Sequence, residues 1–164
     1  MAESYGSPYA RFLPPIRAKC RRLLGQSAAA EDVAQETFLR MWKSGVADDA
    51  RGDPRTVMAW LYRTCTRLAI DVLRERRRTD GPELDLEATP CGVDMEACME
   101  ARGAIAALAS SVPEDELAVA VLCRVDCLSQ PEAALVLGVS ERTVRRVLER
   151  FDQRTGALRK EFSS

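Results

Sequence analysis

Apolar residues recur along this chain at steps of three and four, the period of a helix, and no segment alternates at period two. After Pro15, Ile16, Cys20 and Leu24 fall at i, i+4 and i+8, which predicts a first helix that Pro15 opens and Gly25 closes. Ser27 is placed to cap a second helix, about 28–44, ending at Gly45, with Ala34, Phe38, Met41 and Trp42 on its apolar stripe. A loop, GVADDARGD, follows. Asp53 then caps a long helix, about 54–78, with Pro54 at its first position. Its buried face is predicted as Val57, Leu61, Cys65, Leu68 and Val72. Arg63, Arg67, Asp71, Arg74 and Arg78 repeat that spacing on another face, where Asp71 is positioned to tie down Arg67 and Arg74.

The pattern breaks over 79–93, TDGPELDLEATPCGV, where prolines, glycines and acids have the chemistry of a linker. Helical periodicity resumes from about Asp94 with Met95, Met99, Ile105 and Leu108. Pro113 opens a further segment with Leu117, Val121, Leu122 and Val125 inward. The predicted fold is all-α: two small helical domains, 1–78 and 95–164, joined by a flexible acidic linker, 79–94. Neither is large enough to bury much core alone, so each is expected to gain rigidity from a partner.

The sharpest local pattern is LSQPEAALVLGVSERTVRRVLERF, 128–151. Ser129 with Glu132 three residues on is a capping box that starts a short helix with Ala133, Ala134 and Leu137 inward. Gly138 supplies the turn, Val139 is expected to pack between helices, and Ser140 caps the next helix. There Val144, Val147, Leu148 and Phe151 face inward, leaving Glu141, Arg142, Arg145, Arg146 and Arg150 outward. A short helix, a glycine turn and a second, arginine-faced helix make a helix-turn-helix, in which the first helix braces the second for entry into a major groove. The plain alternative is an αα-hairpin with a solvated basic face. Four arginines within nine residues exceed what solubility requires.

Charge strengthens that reading. The net charge of −1 over 164 residues conceals segregation. Residues 63–78 carry six arginines against two acids, and 141–160 carry six arginines and Lys160 against three. Between them, 79–116 holds ten acids and a single base, Arg102. Two basic blocks flanking an acidic span suit two polyanion-binding surfaces on a tether that repels nucleic acid. The acids of that tether could also screen the basic faces in a compact inactive form.

Histidine is absent, which removes Ser-His-Asp and Cys-His catalysis and imidazole metal sites. No glycine-rich phosphate loop, nucleophile–base pair or convergent carboxylates appear, so no catalytic role and no cofactor are expected. No apolar run is long enough for a membrane span and no signal peptide opens the chain, which predicts a cytoplasmic protein without membrane contact. Of six cysteines, Cys20, Cys65 and Cys123 fall on apolar faces as small core residues. Cys91, Cys98, Cys123 and Cys127 lack the C-x2-C spacing of zinc sites, so no metal is expected.

AAEDVAQETFLRMWKS (29–44) and TVMAWLYRTCTRLAIDVLRERRR (56–78) together resemble region 2 of bacterial sigma factors of the extracytoplasmic-function (ECF) group, within the sigma-70 family, and 113–160 resembles their region 4. The D-x-x-Q-E-x-F-x-x-x-W pattern is met by Asp32, Gln35, Glu36, Phe38 and Trp42. W-L-x-R…A-I-D-x-L-R is met by Trp60, Leu61, Arg63, Ala69, Ile70, Asp71, Leu73 and Arg74. In region 4, Leu128, Ser129, Glu132, Ala134, Leu137 to Ser140, Thr143 and Val144 fit. The resemblance implies a promoter-specificity subunit that binds core RNA polymerase and promoter DNA. Asp32, Gln35, Glu36 and Trp42 would contact the β′ clamp helices, with Phe38 in the core, and region 4 would meet the β flap. Arg63, Arg67, Arg74, Arg77 and Arg78 would serve the −10 element, with residues of 45–55 forming a pocket for an extruded base. Arg142, Thr143, Arg145 and Arg146 would read the −35 element, with Arg150 on phosphate. Arg67 stands where the family usually has asparagine, trading an amide that reads a base edge for a cation that prefers phosphate or guanine. An anti-sigma protein is a further partner the resemblance allows. The competing readings are a stand-alone helix-turn-helix regulator, with 1–78 for dimerisation or effector binding, and a sigma mimic that blocks polymerase.

Overall fold

The caps read from the sequence set most of the helix boundaries. In the computed structural model, which describes residues 8–49, 53–80 and 95–162, Ser27 accepts a hydrogen bond from Ala30 N at 3.2 Å and starts α2 (Ala28–Ser44). Gly45 ends α2 at φ +70°, a left-handed conformation that costs a glycine little. Asp53 accepts from Arg55 N at 3.2 Å and from the Thr56 hydroxyl, opening α4 (Pro54–Asp80) on its proline. These bonds hold the Asp53 carboxyl below the usual carboxylate range, the Thr56 hydroxyl contributing most.

Three boundaries differ from expectation. Helix α1 (Pro8–Leu24) begins well before Pro15 and carries Pro14 and Pro15 inside it. Each proline forfeits a backbone donor, but the extra turns bury Phe12 and bring Tyr9 edge-on to Phe38, with ring centroids 4.9 Å apart. Tertiary packing outweighs the local penalty. Part of the expected loop after Gly45 forms a short helix, α3 (Val46–Asp49), whose Val46 and Ala47 pack on the core. Helix α4 runs two residues beyond 78, so Thr79 and Asp80 belong to it; the rest of the expected linker, 81–94, lies outside the described residues.

The second half comprises α5 (Met95–Leu108), α6 (Glu114–Ala120), a π turn (Val121–Val125), α7 (Gln130–Leu137) and α8 (Glu141–Phe162). Pro113 precedes three acids in the first turn of α6, a placement that the helix dipole favours. Leu117, Val121, Leu122 and Val125 are all buried, as their spacing predicts, although the helix widens into the π turn after Ala120. The described residues contain helices and no strand.

One hydrophobic core joins both halves: Ile16, Leu23, Phe38, Leu61 and Ile70 pack in one cluster with Ile105, Leu117, Val121 and Phe151. A smaller cluster inside the helix-turn-helix, built on Leu122, Ala133, Val144 and Leu148, has Ala59 and Tyr62 of α4 against it. The packing partner that small helical halves need is thus each other. Squeezed between neighbours on several sides, α4 buries Val57, Leu61, Cys65, Ala69, Ile70 and Leu73. The predicted Leu68 and Val72 are only half-buried, because they turn toward an open groove beside α2.

Candidate nucleic-acid and protein interfaces

The helix-turn-helix is built by local hydrogen bonds. Ser129 Oγ accepts from Glu132 N at 3.3 Å, while Glu132 Oε2 accepts from Ser129 N at 2.7 Å, completing the capping box. Bonds from the Ser129 hydroxyl and then its backbone hold the Glu132 carboxyl below the usual range. Gly138 turns the chain at φ +68°, and Ser140 caps α8 by accepting from Thr143 N at 3.1 Å. Val144, Val147, Leu148 and Phe151 are buried, which leaves Arg142, Arg145, Arg146 and Arg150 exposed along one side of α8. Thr143 is half-buried, its hydroxyl 2.9 Å from that of Ser140, so its first task is the cap. Arg145 Nε donates to Gln130 Oε1 at 3.5 Å, which steadies its guanidinium against α7. Val139, expected between the helices, is 40% exposed because the turn carries it outward.

On α2, Asp32, Gln35 and Trp42 are exposed and Glu36 is half-buried, its carboxylate accepting from Arg40 Nε at 2.8 Å. Trp42 does not continue the apolar stripe: it is 56% exposed and stacks on Tyr9 with centroids 5.8 Å apart, whereas Phe38 is buried. Between α2 and α4 lies an open groove of about 370 Å³. Val33, Leu68 and Val72 form its floor, and Asp32, Glu36, Asp71 and Glu75 stand around it. Sequence reasoning missed the α4 side of this groove, although the i, i+4 acid pairs 32/36 and 71/75 were its signal. An apolar floor under four carboxylates suits a basic amphipathic helix.

The arginines of α4 are differently employed. Arg77 and Arg78 are exposed, with Arg78 donating to Glu75 at 2.5 Å, and Arg63 is half-buried. Arg67 pairs across the fold with Glu114 at 3.4 Å and Asp115 at 3.7 Å. Arg74 donates to the carbonyls of Ala109 (2.7 Å) and Val112 (3.1 Å) and lies 3.6 Å from Glu114. The expected Asp71 ties to Arg67 and Arg74 are therefore replaced by partners from the second half, and Asp71 faces the groove. Arg76 holds Leu24 O at 3.1 Å and Ser27 Oγ at 3.2 Å, joining α4 to the turn between α1 and α2. Of the stretch expected to hold an extruded base, 50–52 lie outside the described residues.

Cys20 and Cys65 are buried with their thiols 3.2 Å apart, and Cys123 is half-buried. Their hydrogen bond and burial push the Cys20 thiol well up and, through the same bond, lower that of Cys65. Among the described residues no three His, Cys, Asp or Glu side chains gather to hold a metal; Cys91 and the Cys98 side chain lie outside them. No described helix is long and apolar enough to cross a membrane.

Residues 8–79 match the family described as Sigma-70 region 2, and 102–150 match Sigma-70, region 4. The chain is 30% identical over 148 residues to the ECF RNA polymerase sigma factor SigE of Mycolicibacterium smegmatis, an alignment covering 80% of this chain and 52% of SigE. It thus spans about half the length of that relative. It is 30% identical over 156 residues to the ECF RNA polymerase sigma factor SigW of Bacillus subtilis, covering 87% of this chain and 80% of SigW. Among solved structures, the sigma factor RpoE in complex with the anti-sigma factor NepR, from Bartonella quintana, has a similar fold: TM-score 0.56, 20% identity, 97% of this chain and 98% of that one. Both regions in order, together with the likeness to SigW over most of its length, place this chain in the sigma-70 family of RNA polymerase sigma factors, as a member of the ECF group.

Proposed function

We propose that the chain binds core RNA polymerase and directs promoter-specific initiation, contributing no catalytic group of its own. The observation that carries this reading is the arginine side of α8, presented by a fully capped helix-turn-helix in the same chain as a region 2 module. Arg142, Arg145 and Arg146 lie nearest the N-terminal end of α8, the part of a recognition helix that meets base edges, and with Thr143 they read the −35 element. Arg150, about one turn beyond Arg146, contacts phosphate. Residues 1–78, with α4 running on to Asp80, form the core-binding and −10 module, 95–164 the −35 module that also meets the β flap, and 81–94 the linker. Asp32, Gln35 and Glu36 with Trp42 form the core contact, the groove beside them accepting a basic helix of the β′ clamp. Arg63, Arg67, Arg74, Arg77 and Arg78 hold the −10 strand by its phosphates. RpoE of similar fold is in complex with an anti-sigma factor, and a partner of that class fits here.

Size-exclusion chromatography with purified core polymerase tests the core contact. The chain should co-elute with core, and exchange of Asp32 and Trp42 for alanine should release it. Elution apart from core, with dimeric binding to a palindromic operator, would instead identify a stand-alone regulator.

A further inference from the structure

Cys20 of α1 and Cys65 of α4 stand 45 positions apart in the chain, are fully buried, and meet sulfur to sulfur at 3.2 Å. Both are free thiols. Ile16 and Leu24, one turn either side of Cys20, and Leu61 and Ala69, one turn either side of Cys65, are fully buried too, so the pair lies inside the contact between the two helices. Alanine at either position would also suit a tight helix contact. What two cysteines add is a bond they can make to each other. Their sulfurs are about 1.2 Å further apart than a disulfide requires. Side-chain rotation with a slight approach of the helices closes that gap.

The surroundings give the two sulfurs different parts. The hydrogen bond from the Cys20 thiol holds the Cys65 thiol below its usual range against the effect of burial, and the Lys19 ammonium adds to this while Asp126, its buried partner, opposes it. The same bond, together with burial, raises Cys20. Cys65 is therefore the attacking sulfur and Cys20 the resolving one. Neither sulfur is exposed, so the oxidant must be small and uncharged. Local opening of α1, in which Pro14 and Pro15 forfeit two backbone donors, admits it.

We propose that Cys20 and Cys65 form a reversible oxidation site, which hydrogen peroxide converts to a disulfide stapling α1 to α4 within the region 2 module. The Cys65 thiolate attacks one peroxide oxygen, the O–O bond breaks, and the departing hydroxide takes up the proton Cys65 has lost, leaving water and a sulfenic acid. Cys20 then attacks the sulfenic sulfur, and its proton leaves with the displaced hydroxide as a second water. Two thiols lose two electrons and two protons, and one peroxide becomes two waters. A dithiol reverses the step by exchange. The bond closes a long loop, which constrains the unfolded chain and so favours the folded one. The site stands whether or not the chain binds core polymerase.

The test treats the full wild-type chain, reduced and then freed of reductant, with a modest excess of hydrogen peroxide. Remaining thiols are alkylated with N-ethylmaleimide in urea, and the digested peptides are mapped by mass spectrometry. A linked peptide pair joining Cys20 to Cys65, two hydrogens lighter than its separate halves and abolished by dithiothreitol, is the expected product. The urea midpoint of the oxidised chain should rise by about 1–2 M, and the rise should be absent from Cys65→Ala. Recovery of both Cys20 and Cys65 alkylated while Cys123 or Cys127 is oxidised overturns the proposal. So does passage of Cys65 to sulfinic acid without the link, or a linked chain whose midpoint is unchanged or lower. If Cys65→Ala does not fold, the wild-type peptide map and midpoint decide alone.

Discussion

Replacing Trp42 by alanine separates an interface residue from a packing residue. A tryptophan side chain offers up to about 250 Å² to bury, and here 56% of the residue is exposed. Roughly 140 Å² is therefore left for a partner, worth about 2–3.5 kcal/mol at ~25 cal/mol per Å² if most of it is covered. That is about a 30- to 300-fold weakening of core binding, in the range of a tryptophan hot spot. The buried part, stacked on Tyr9, accounts for only about 1–2 kcal/mol of folding stability. Phe38→Ala is the mirror case: the ring is 1% exposed, so it should cost about 3–5 kcal/mol of stability through the cavity it leaves. The assay titrates labelled chain with core polymerase and sets each Kd beside a urea melt of the free chain. A Trp42→Ala chain that binds core within twofold of wild type, or loses affinity only as it loses stability, would refute the reasoning.

Three further outcomes follow from the helix-turn-helix. Arg142→Ala should relax sequence choice by about 1–3 kcal/mol at one −35 base, whereas Arg150→Ala should weaken all sequences alike; equal losses in a binding-site selection would contradict that division. Gly138→Ala meets open space, with nothing within 4 Å of the added Cβ, but keeps a backbone of φ +68°, so the cost should be the left-handed penalty alone, about 1–2 kcal/mol by urea melt. Because the Glu132 pKa is depressed in the folded chain, its charge stabilises above the unfolded value of about 4.3. The stability gap between wild type and Glu132→Gln should therefore shrink as pH falls through the folded value, as read by denaturation at stepped pH.

What could be read from the sequence was what is decided within a few residues. Ser27, Gly45, Asp53–Pro54, Ser129 with Glu132, and Gly138 mark boundaries because each satisfies or frees backbone groups in its own turn. The outward arginines of α8 were legible for the same reason, since a strong apolar stripe fixes the opposite side. Pro15 does not mark the start of α1 because the earlier turns are held by the burial of Phe12 against other elements, which no local signal announces. Leu68 and Val72 fit an ideal stripe, but α4 is buried on several sides and its enclosed arc follows its neighbours. Arg67 and Arg74 found partners more than thirty positions away rather than at Asp71, three and four away. The buried ion pair between Lys19 of α1 and Asp126 after the π turn carries no periodic mark, because a single buried charge leaves no pattern in its own helix.

The most direct measurement is run-off transcription from a promoter of a genome that encodes this chain, with purified core polymerase and the chain as the sole specificity factor. A discrete transcript that requires the chain, and is lost when Arg142, Arg145 and Arg146 become alanine, is the expected result. Initiation no different from core alone, despite a folded chain bound to core, would contradict it.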